Sequence, residues 1–192
     1  SMIFRWKKNK MKKYDTIFLD RDGTLNPDPG YINSLDQFNF FDFTISALKE
    51  MSEYCLGFCI ITNQSGLSRG IIQIDELSKI HNFILNKFYQ NKLNLLGIYF
   101  CPDHPDKPTI NRKPGIGMFQ AAAKDHNINL KNSIMIGDAL SDIEAGLNLN
   151  MDTMLVMTGR GNRSKENLKG FNPKFIVKDL MDGAKSLKEH FR

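Results

Sequence analysis

Asp20 and Asp22 stand two residues apart at the end of the apolar run Thr16-Ile17-Phe18-Leu19, and Gly23-Thr24-Leu25 follows at once. Residues i and i+2 of a strand share a face. Where the strand gives way to a turn, both carboxylates can therefore reach into one crevice. Carboxylates buried that close repel each other unless a cation or a shared proton lies between them. A hard divalent cation such as Mg²⁺ takes oxygen ligands, and a cation held this way suits phosphate chemistry. Taken alone, the Asp-Gly step also reads as an ordinary turn with a solvated Asp20.

Three further clusters share this character. Phe58–Thr62 ends in Thr62-Asn63-Gln64-Ser65-Gly66, a polar loop with a hydroxyl and a glycine that can present backbone N–H groups to an anion. Arg112-Lys113-Pro114-Gly115 precedes a helix-like stretch and offers two cations to phosphate oxygens, or a solvated basic pair. Ile134-Met135-Ile136 ends in Gly137-Asp138-Ala139-Leu140-Ser141-Asp142, a second acidic pair after an apolar run. Asp138 and Asp142 also read as a turn residue and an acid favoured by the helix macrodipole.

The elements that must position these residues alternate. Strands are expected at 16–20, 58–62, 97–101, 133–137, 153–156 and 175–177, and helices at 44–54, 75–92, 117–126, 141–149 and 181–191. In the second helix Leu77, Ile80, Ile84 and Phe88 form one stripe, Phe83 and Leu85 widen it, and Asp75 is placed to cap the first turn. His81 lies beside the stripe as an interfacial residue, not a ligand. The alternation predicts an α/β fold: a doubly wound parallel sheet in three layers, α/β/α, with its ligand at the carboxyl ends of the strands.

The chain of 192 residues fits one domain with a real core, expected over 14–192 after a basic arm at 1–13. Arg5, Lys7, Lys8 and Lys10 account for most of the formal net charge of +5, so the remainder is nearly neutral and does not suit a nucleic-acid partner. Ser1 reads as a cloning remnant and Met11 as an alternative start. No apolar run approaches a membrane span, and no leader-type core precedes a small-residue site. A cytoplasmic location is the expectation, with no membrane partner. Cys55, Cys59 and Cys101 make no paired framework, which suits a reducing compartment.

In order and spacing, Asp20-x-Asp22-Gly23-Thr24, Thr62, Lys113 and Gly137-Asp138-x-x-x-Asp142 resemble the four motifs of the haloacid dehalogenase-like (HAD) phosphatase superfamily, over about residues 14–160. The resemblance implies that Asp20 attacks phosphorus and that Asp22 protonates the leaving oxygen and then activates water. It implies Mg²⁺ on Asp20, the Asp22 carbonyl and Asp138, with Asp142 supporting that site. Thr62 and Lys113 would hold the phosphoryl oxygens. Asp22 needs a raised pKa to serve as an acid, and crowding by carboxylates is the expected source.

Asp20-Arg21-Asp22-Gly23-Thr24-Leu25-Asn26, Cys101-Pro102-Asp103-His104-Pro105 and Arg112-Lys113-Pro114 are similar to the capless branch (subfamily IIIA) that acts on heptose bisphosphates and histidinol phosphate. Neither the stretch from Leu25 to Phe38 nor that from Gly66 to Asp75 has room for a cap domain. The similarity implies a small phosphorylated substrate, first a heptose 1,7-bisphosphate and second histidinol phosphate. Asn63, Gln64, Ser65, Arg69 and Arg112 would contact it. A phosphate-binding regulatory protein is the non-enzyme alternative, and a monomer or weak dimer is expected. The branch usually carries zinc on Cys-x-His and Cys-x-Cys. Asp103, Thr109 and Asn111 stand at three of those positions, so structural zinc is not expected. Ala139 replaces a lysine common after the fourth-motif aspartate.

Overall fold

The structure is a computed structural model that describes residues 13–192. The expected basic arm, apart from Lys13, lies outside the described residues. Six strands form one sheet: β1 (Tyr14–Leu19), β2 (Cys55–Asn63), β3 (Leu95–Cys101), β4 (Ile134–Gly137), β5 (Asp152–Val156) and β6 (Phe175–Val177). Their order is β3-β2-β1-β4-β5-β6, and every pairing is parallel. All six overlap the expected runs: β1, β2, β3 and β5 start one to three residues earlier, β4 starts one residue later, and β6 matches.

Alternation along the central strands divides the core. Ile17 and Leu19 pair in register with Phe58 and Ile60 on one side and with Ile134 and Ile136 on the other. These residues face one hydrophobic cluster, shared with α1 (Thr44–Met51), α2 (Ile74–Gln90) and α6 (Leu180–His190). Phe18, Cys59, Ile61 and Met135 point the other way, against α3 (Gly117–His126) and α4 (Leu140–Asn148). Both faces are covered, which is why the strands read as continuous apolar runs. Among the described residues no helix is long and apolar enough to cross a membrane.

Local differences from the expected helices have simple causes. The first helix ends at Met51 and tightens into a 3₁₀ turn at Ser52–Tyr54. α2 begins one residue before Asp75, after Gln73, so Asp75 lies within the first turn and makes no side-chain cap. Its carboxylate acts there only on the dipole. Leu85 is exposed, while Phe83 packs on the core. A short helix, α5 (Gly161–Glu166), has no apolar stripe in its sequence Gly-Asn-Arg-Ser-Lys-Glu and is invisible to periodicity.

The chain turns one way from β1 to β2 and β3, and the other way from β4 to β5 and β6. The switch point lies between β1 and β4. Crevices at such points, at the carboxyl ends of the strands, are where open α/β sheets bind ligands. Asp20 follows β1 and Asp138 follows β4.

Candidate active site

Asp20 leaves β1 with its backbone N–H still bonded to the Ile136 carbonyl at 3.0 Å, so the ladder fixes it beside β4. Its carboxylate meets Lys113, which arrives from the loop between β3 and α3. Lys113 is 3% exposed. Its Nζ donates to Asp20 Oδ1 at 2.9 Å, to Asp142 Oδ1 at 2.7 Å and to the Ile61 carbonyl at 2.7 Å. An ammonium has three donors, and all are used. Burial alone would lower the Lys113 pKa; the Asp142 and Asp20 carboxylates outweigh it and hold the group charged, above its usual range.

Asn63 clips this loop to the end of β2. Its Nδ2 donates to the Lys113 carbonyl at 3.2 Å, and its Oδ1 accepts from Lys113 N–H at 3.0 Å. Asn63 lines the cleft, and its amide is committed to the backbone of Lys113.

Asp138 and Asp142 complete a cluster with Asp20 in which one carboxylate oxygen from each lies within 4.8 Å of the others. Asp142 sits in the first turn of α4, where its Oδ2 accepts from Ala139 N–H at 3.1 Å while Oδ1 faces Lys113. Asp142 thus lies at once in the first turn of a helix and in the acidic cluster. Asp138 accepts from Arg160 N–H at 2.8 Å, and its carbonyl accepts from Ser164 Oγ of α5 at 2.7 Å. Gly23 and Gly159, both at positive φ, lie so close that a Cβ on either would collide with the Asp138 carboxylate. The missed helix is thus a buttress of the site.

Three buried carboxylates lie together here, and only Asp20 and Asp142 meet the Lys113 ammonium. Burial and the neighbouring Asp20 and Asp142 push Asp138 well above the usual carboxylate range. Burial and Asp20 also raise Asp142, against the pull of Lys113. A second positive charge among these oxygens would relieve the repulsion. An all-oxygen donor set suits a hard divalent cation, so the residues present fit Mg²⁺.

Asp22 departs from the expectation. Arg21 Nε and Nη2 grip its two oxygens at 2.8 and 3.1 Å, Asn26 Nδ2 adds 3.0 Å to Oδ1, and Gln64 Nε2 adds 3.0 Å to Oδ2. Burial pushes this carboxyl up, but Arg21, Asn26 and Gln64 outweigh it and hold it below the usual range. The expected rise by crowding is corrected: Asp22 faces a guanidinium and two amides, and four donors favour the ionised form. Gln64 also donates to Thr62 Oγ1 at 2.9 Å, tying Asp22 to the end of β2.

The cleft above these groups encloses about 220 Å³ and is walled by Tyr31, Ile32, Ser65, Ile72, Arg112 and Arg160 beside the residues already described. Arg112 donates through Nη1 to the Asp103 carbonyl at 3.2 Å. Arg69 is exposed and outside the lining; its guanidinium lies over the Tyr31 ring, 6.0 Å from the centroid. Arg160 was not foreseen, although its place in a Thr-Gly-Arg-Gly turn after β5 was a signal of the same kind as the other strand ends. At the positions where the branch usually carries zinc, Asp103 Oδ2 accepts from Thr109 N–H and Oγ1 at 2.7 and 2.6 Å, and Thr109 Oγ1 accepts from Asn111 N–H at 3.2 Å.

A parallel sheet with an acidic centre at its switch point, a buried lysine and an open cleft defines a hydrolase of the phosphoryl-transfer class. The HAD-hydrolase-like family model matches residues 110–183. D-glycero-beta-D-manno-heptose-1,7-bisphosphate 7-phosphatase of Yersinia pestis is 38% identical over 152 residues, 75% of this chain and 81% of the relative. The Escherichia coli K12 protein of the same name is 35% identical over 157 residues, 78% of this chain and 82% of its own length. The crystal structure of D,D-heptose 1,7-bisphosphate phosphatase from B. bronchiseptica, complexed with magnesium and phosphate, superposes with a TM-score of 0.81 at 28% identity, covering 92% of this chain and 99% of that one. The chain belongs to the haloacid dehalogenase-like hydrolases and is a phosphatase of that family.

Proposed function

We propose that this chain hydrolyses D-glycero-D-manno-heptose 1,7-bisphosphate at position 7, with Asp20 as nucleophile. The observation that carries the phosphatase chemistry is the cluster of Asp20, Asp138 and Asp142, with a buried lysine paired to Asp20 and Asp142. The heptose assignment is supported by the 35–38% identity to the curated relatives. A substrate with two phosphates also suits a cleft that has Arg112 and Arg160 on its walls in addition to Lys113.

In this reading an Asp20 oxygen attacks phosphorus and the bond from phosphorus to the sugar oxygen breaks. As Asp20 turns to phosphorus, Lys113 exchanges its bond to Asp20 for one to an equatorial oxygen, which it holds with Thr62 as charge redistributes. The leaving oxygen takes a proton from Asp22. Water then attacks the aspartyl-phosphate and Asp22 accepts its proton, which frees Asp20 and releases phosphate. Because four donors hold Asp22 ionised, it carries a proton only once one of its oxygens is released from them. Mg²⁺, held by Asp20, Asp138 and the Asp22 carbonyl with Asp142 in support, would supply positive charge to the nucleophile and the phosphoryl oxygen. Gln64, Ser65, Asn63 and Arg112 shape the sugar side, with Arg69 acting through Tyr31. Residues 14–192 work as one domain, as a monomer or weak dimer in the cytoplasm.

The test is Mg²⁺-dependent phosphate release from both anomers of the heptose bisphosphate, from histidinol phosphate and from an aryl phosphate, each against Asp20→Asn. Preference for one heptose anomer, lost in the variant, is the expected result. Activity on the aryl phosphate alone would overturn the heptose assignment; release unchanged in Asp20→Asn would overturn the nucleophile.

A further inference from the structure

Among the described residues, Arg21 is the largest side chain with no exposure at all. A buried guanidinium is costly unless its charge and its donors are met. Nε and Nη2 are met by Asp22, as above. The remaining nitrogen, Nη1, lies 3.2 Å from Nε2 of His81, a buried residue of α2 sixty positions further along the chain. The guanidinium carbon is 5.5 Å from the centroid of the Phe38 ring, and the His81 ring lies 5.9 Å from that of Phe100.

Arginine donates and never accepts, and it stays charged. Nε2 of His81 must therefore be the acceptor, which places the ring proton on Nδ1 and leaves the imidazole neutral. Burial and the Arg21 charge agree, pushing the imidazolium down to about 3. A neutral histidine of this tautomer offers one acceptor in a fixed direction. With Phe38 near the guanidinium, it fixes the rotation of a planar fork whose other edge determines the plane of the Asp22 carboxylate.

We propose that His81 is a positioning residue for the proton donor: through Arg21 it sets the plane from which Asp22 reaches the leaving oxygen. The inference rests on the reading of Asp22 as that donor. His81 touches neither the cleft nor the carboxylate cluster. Without its acceptor, Nη1 is left buried and unpaired, and the fork can turn. Asp22 then loses its register with Gln64 and, through Gln64, with Thr62.

A histidine that only filled the core would slow all substrates alike. A histidine that positions a proton donor matters where the leaving group needs a proton. The experiment compares kcat/KM, which reports the steps through departure of the leaving group and not the later attack of water, in Mg²⁺ for an alkyl phosphomonoester, whose leaving oxygen must be protonated, and for 4-nitrophenyl phosphate, whose leaving group departs as the anion. His81→Leu should lose on the order of 10–100-fold in kcat/KM on the alkyl ester, part of the roughly 10²–10⁴-fold that acid catalysis contributes. It should lose only a few-fold in kcat/KM on nitrophenyl phosphate. His81→Gln, whose amide oxygen can accept from Nη1, should recover most of that loss. If His81→Leu does not fold, His81→Met carries the same expectation.

Equal losses on both substrates, no loss on either, or no recovery in His81→Gln would overturn the inference. Asp22→Asn, run alongside, separates the two levels. If it is selective for the alkyl ester while the His81 variants are not, the positioning role alone fails. If Asp22→Asn lowers kcat/KM equally for both substrates, the proton-donor reading fails and the positioning role falls with it.

Discussion

Lys113 Nζ and Asp142 Oδ1 are 2.7 Å apart, each on a side chain only about 1% exposed. The same ammonium faces Asp20 at 2.9 Å. A pair sealed this far from water is costly to break from one side, because the remaining charge stays buried. Lys113→Met keeps most of the volume and removes the charge. In Mg²⁺-free buffer it should lose about 3–5 kcal/mol of stability, read by urea denaturation with the slope unchanged. Phosphate release should fall below detection, since the residue proposed to hold the phosphoryl oxygens is gone. A variant as stable as the parent would show that Lys113 does not hold the cluster together.

The same crowding gives the metal a thermodynamic signature separate from activity. A ligand that binds only the folded state stabilises it by about 2.7 kcal/mol at a hundred times its Kd. Adding Mg²⁺ should therefore raise the melting temperature, and chelation should reverse the rise and abolish turnover. Asp138→Asn removes one of the carboxylates that repel each other. It should melt higher than the parent in chelator and lose the Mg²⁺-dependent rise. An unchanged response to Mg²⁺ in Asp138→Asn would remove Asp138 from the ligand set.

The strand ends were legible because each combined an apolar run with polar residues that a core cannot absorb. Asp20, Thr62 and Asp138 follow or end β1, β2 and β4, and the parallel order was implied by the alternation of elements. Side-chain partners were less legible. The sequence shows Arg21 between two aspartates but not that it turns inward, so the Asp22 carboxyl was expected to be raised by acids and is instead lowered against an arginine. His81 read as a helix interface residue, because nothing local announces a partner sixty positions away. α5 was missed since Gly161 and Ser164, its buried residues, are too small to mark a stripe, yet Ser164 holds the backbone of Asp138.

Arg160 is the site residue that sequence reading passed over. Its backbone is fixed by Asp138, and its guanidinium has no hydrogen-bond or ion-pair partner among the described residues. It lies on the cleft wall, where a second phosphate of the proposed substrate can meet it. A hydrogen bond to a charged group is worth about 1.5–3 kcal/mol, or roughly 10–100-fold in affinity. Arg160→Ala should raise KM for the heptose bisphosphate by that order with kcat nearly unchanged, and leave an aryl phosphate unaffected. Equal effects on both substrates would assign Arg160 to the reacting phosphate instead.

His81 predicts how stability changes with acid. Its folded-state pKa is about 3, against about 6.5 when unfolded. Between those values the unfolded chain binds a proton that the folded chain refuses. The contribution is therefore complete above about pH 6.5 and is lost as pH falls, at about 1.4 kcal/mol per unit. Asp22 and Arg21 are the charged groups that act on the ring, and both remain when only His81 is changed. The difference between the parent and His81→Gln, followed by urea denaturation from pH 7.5 to 4.5, isolates this one group. The parent should lose stability more steeply below pH 6.5, and His81→Gln should show the shallower curve. Parallel curves would mean that the ring takes up its proton in the folded protein. An imidazolium cannot accept from Arg21, so the guanidinium would then have to find another partner for Nη1.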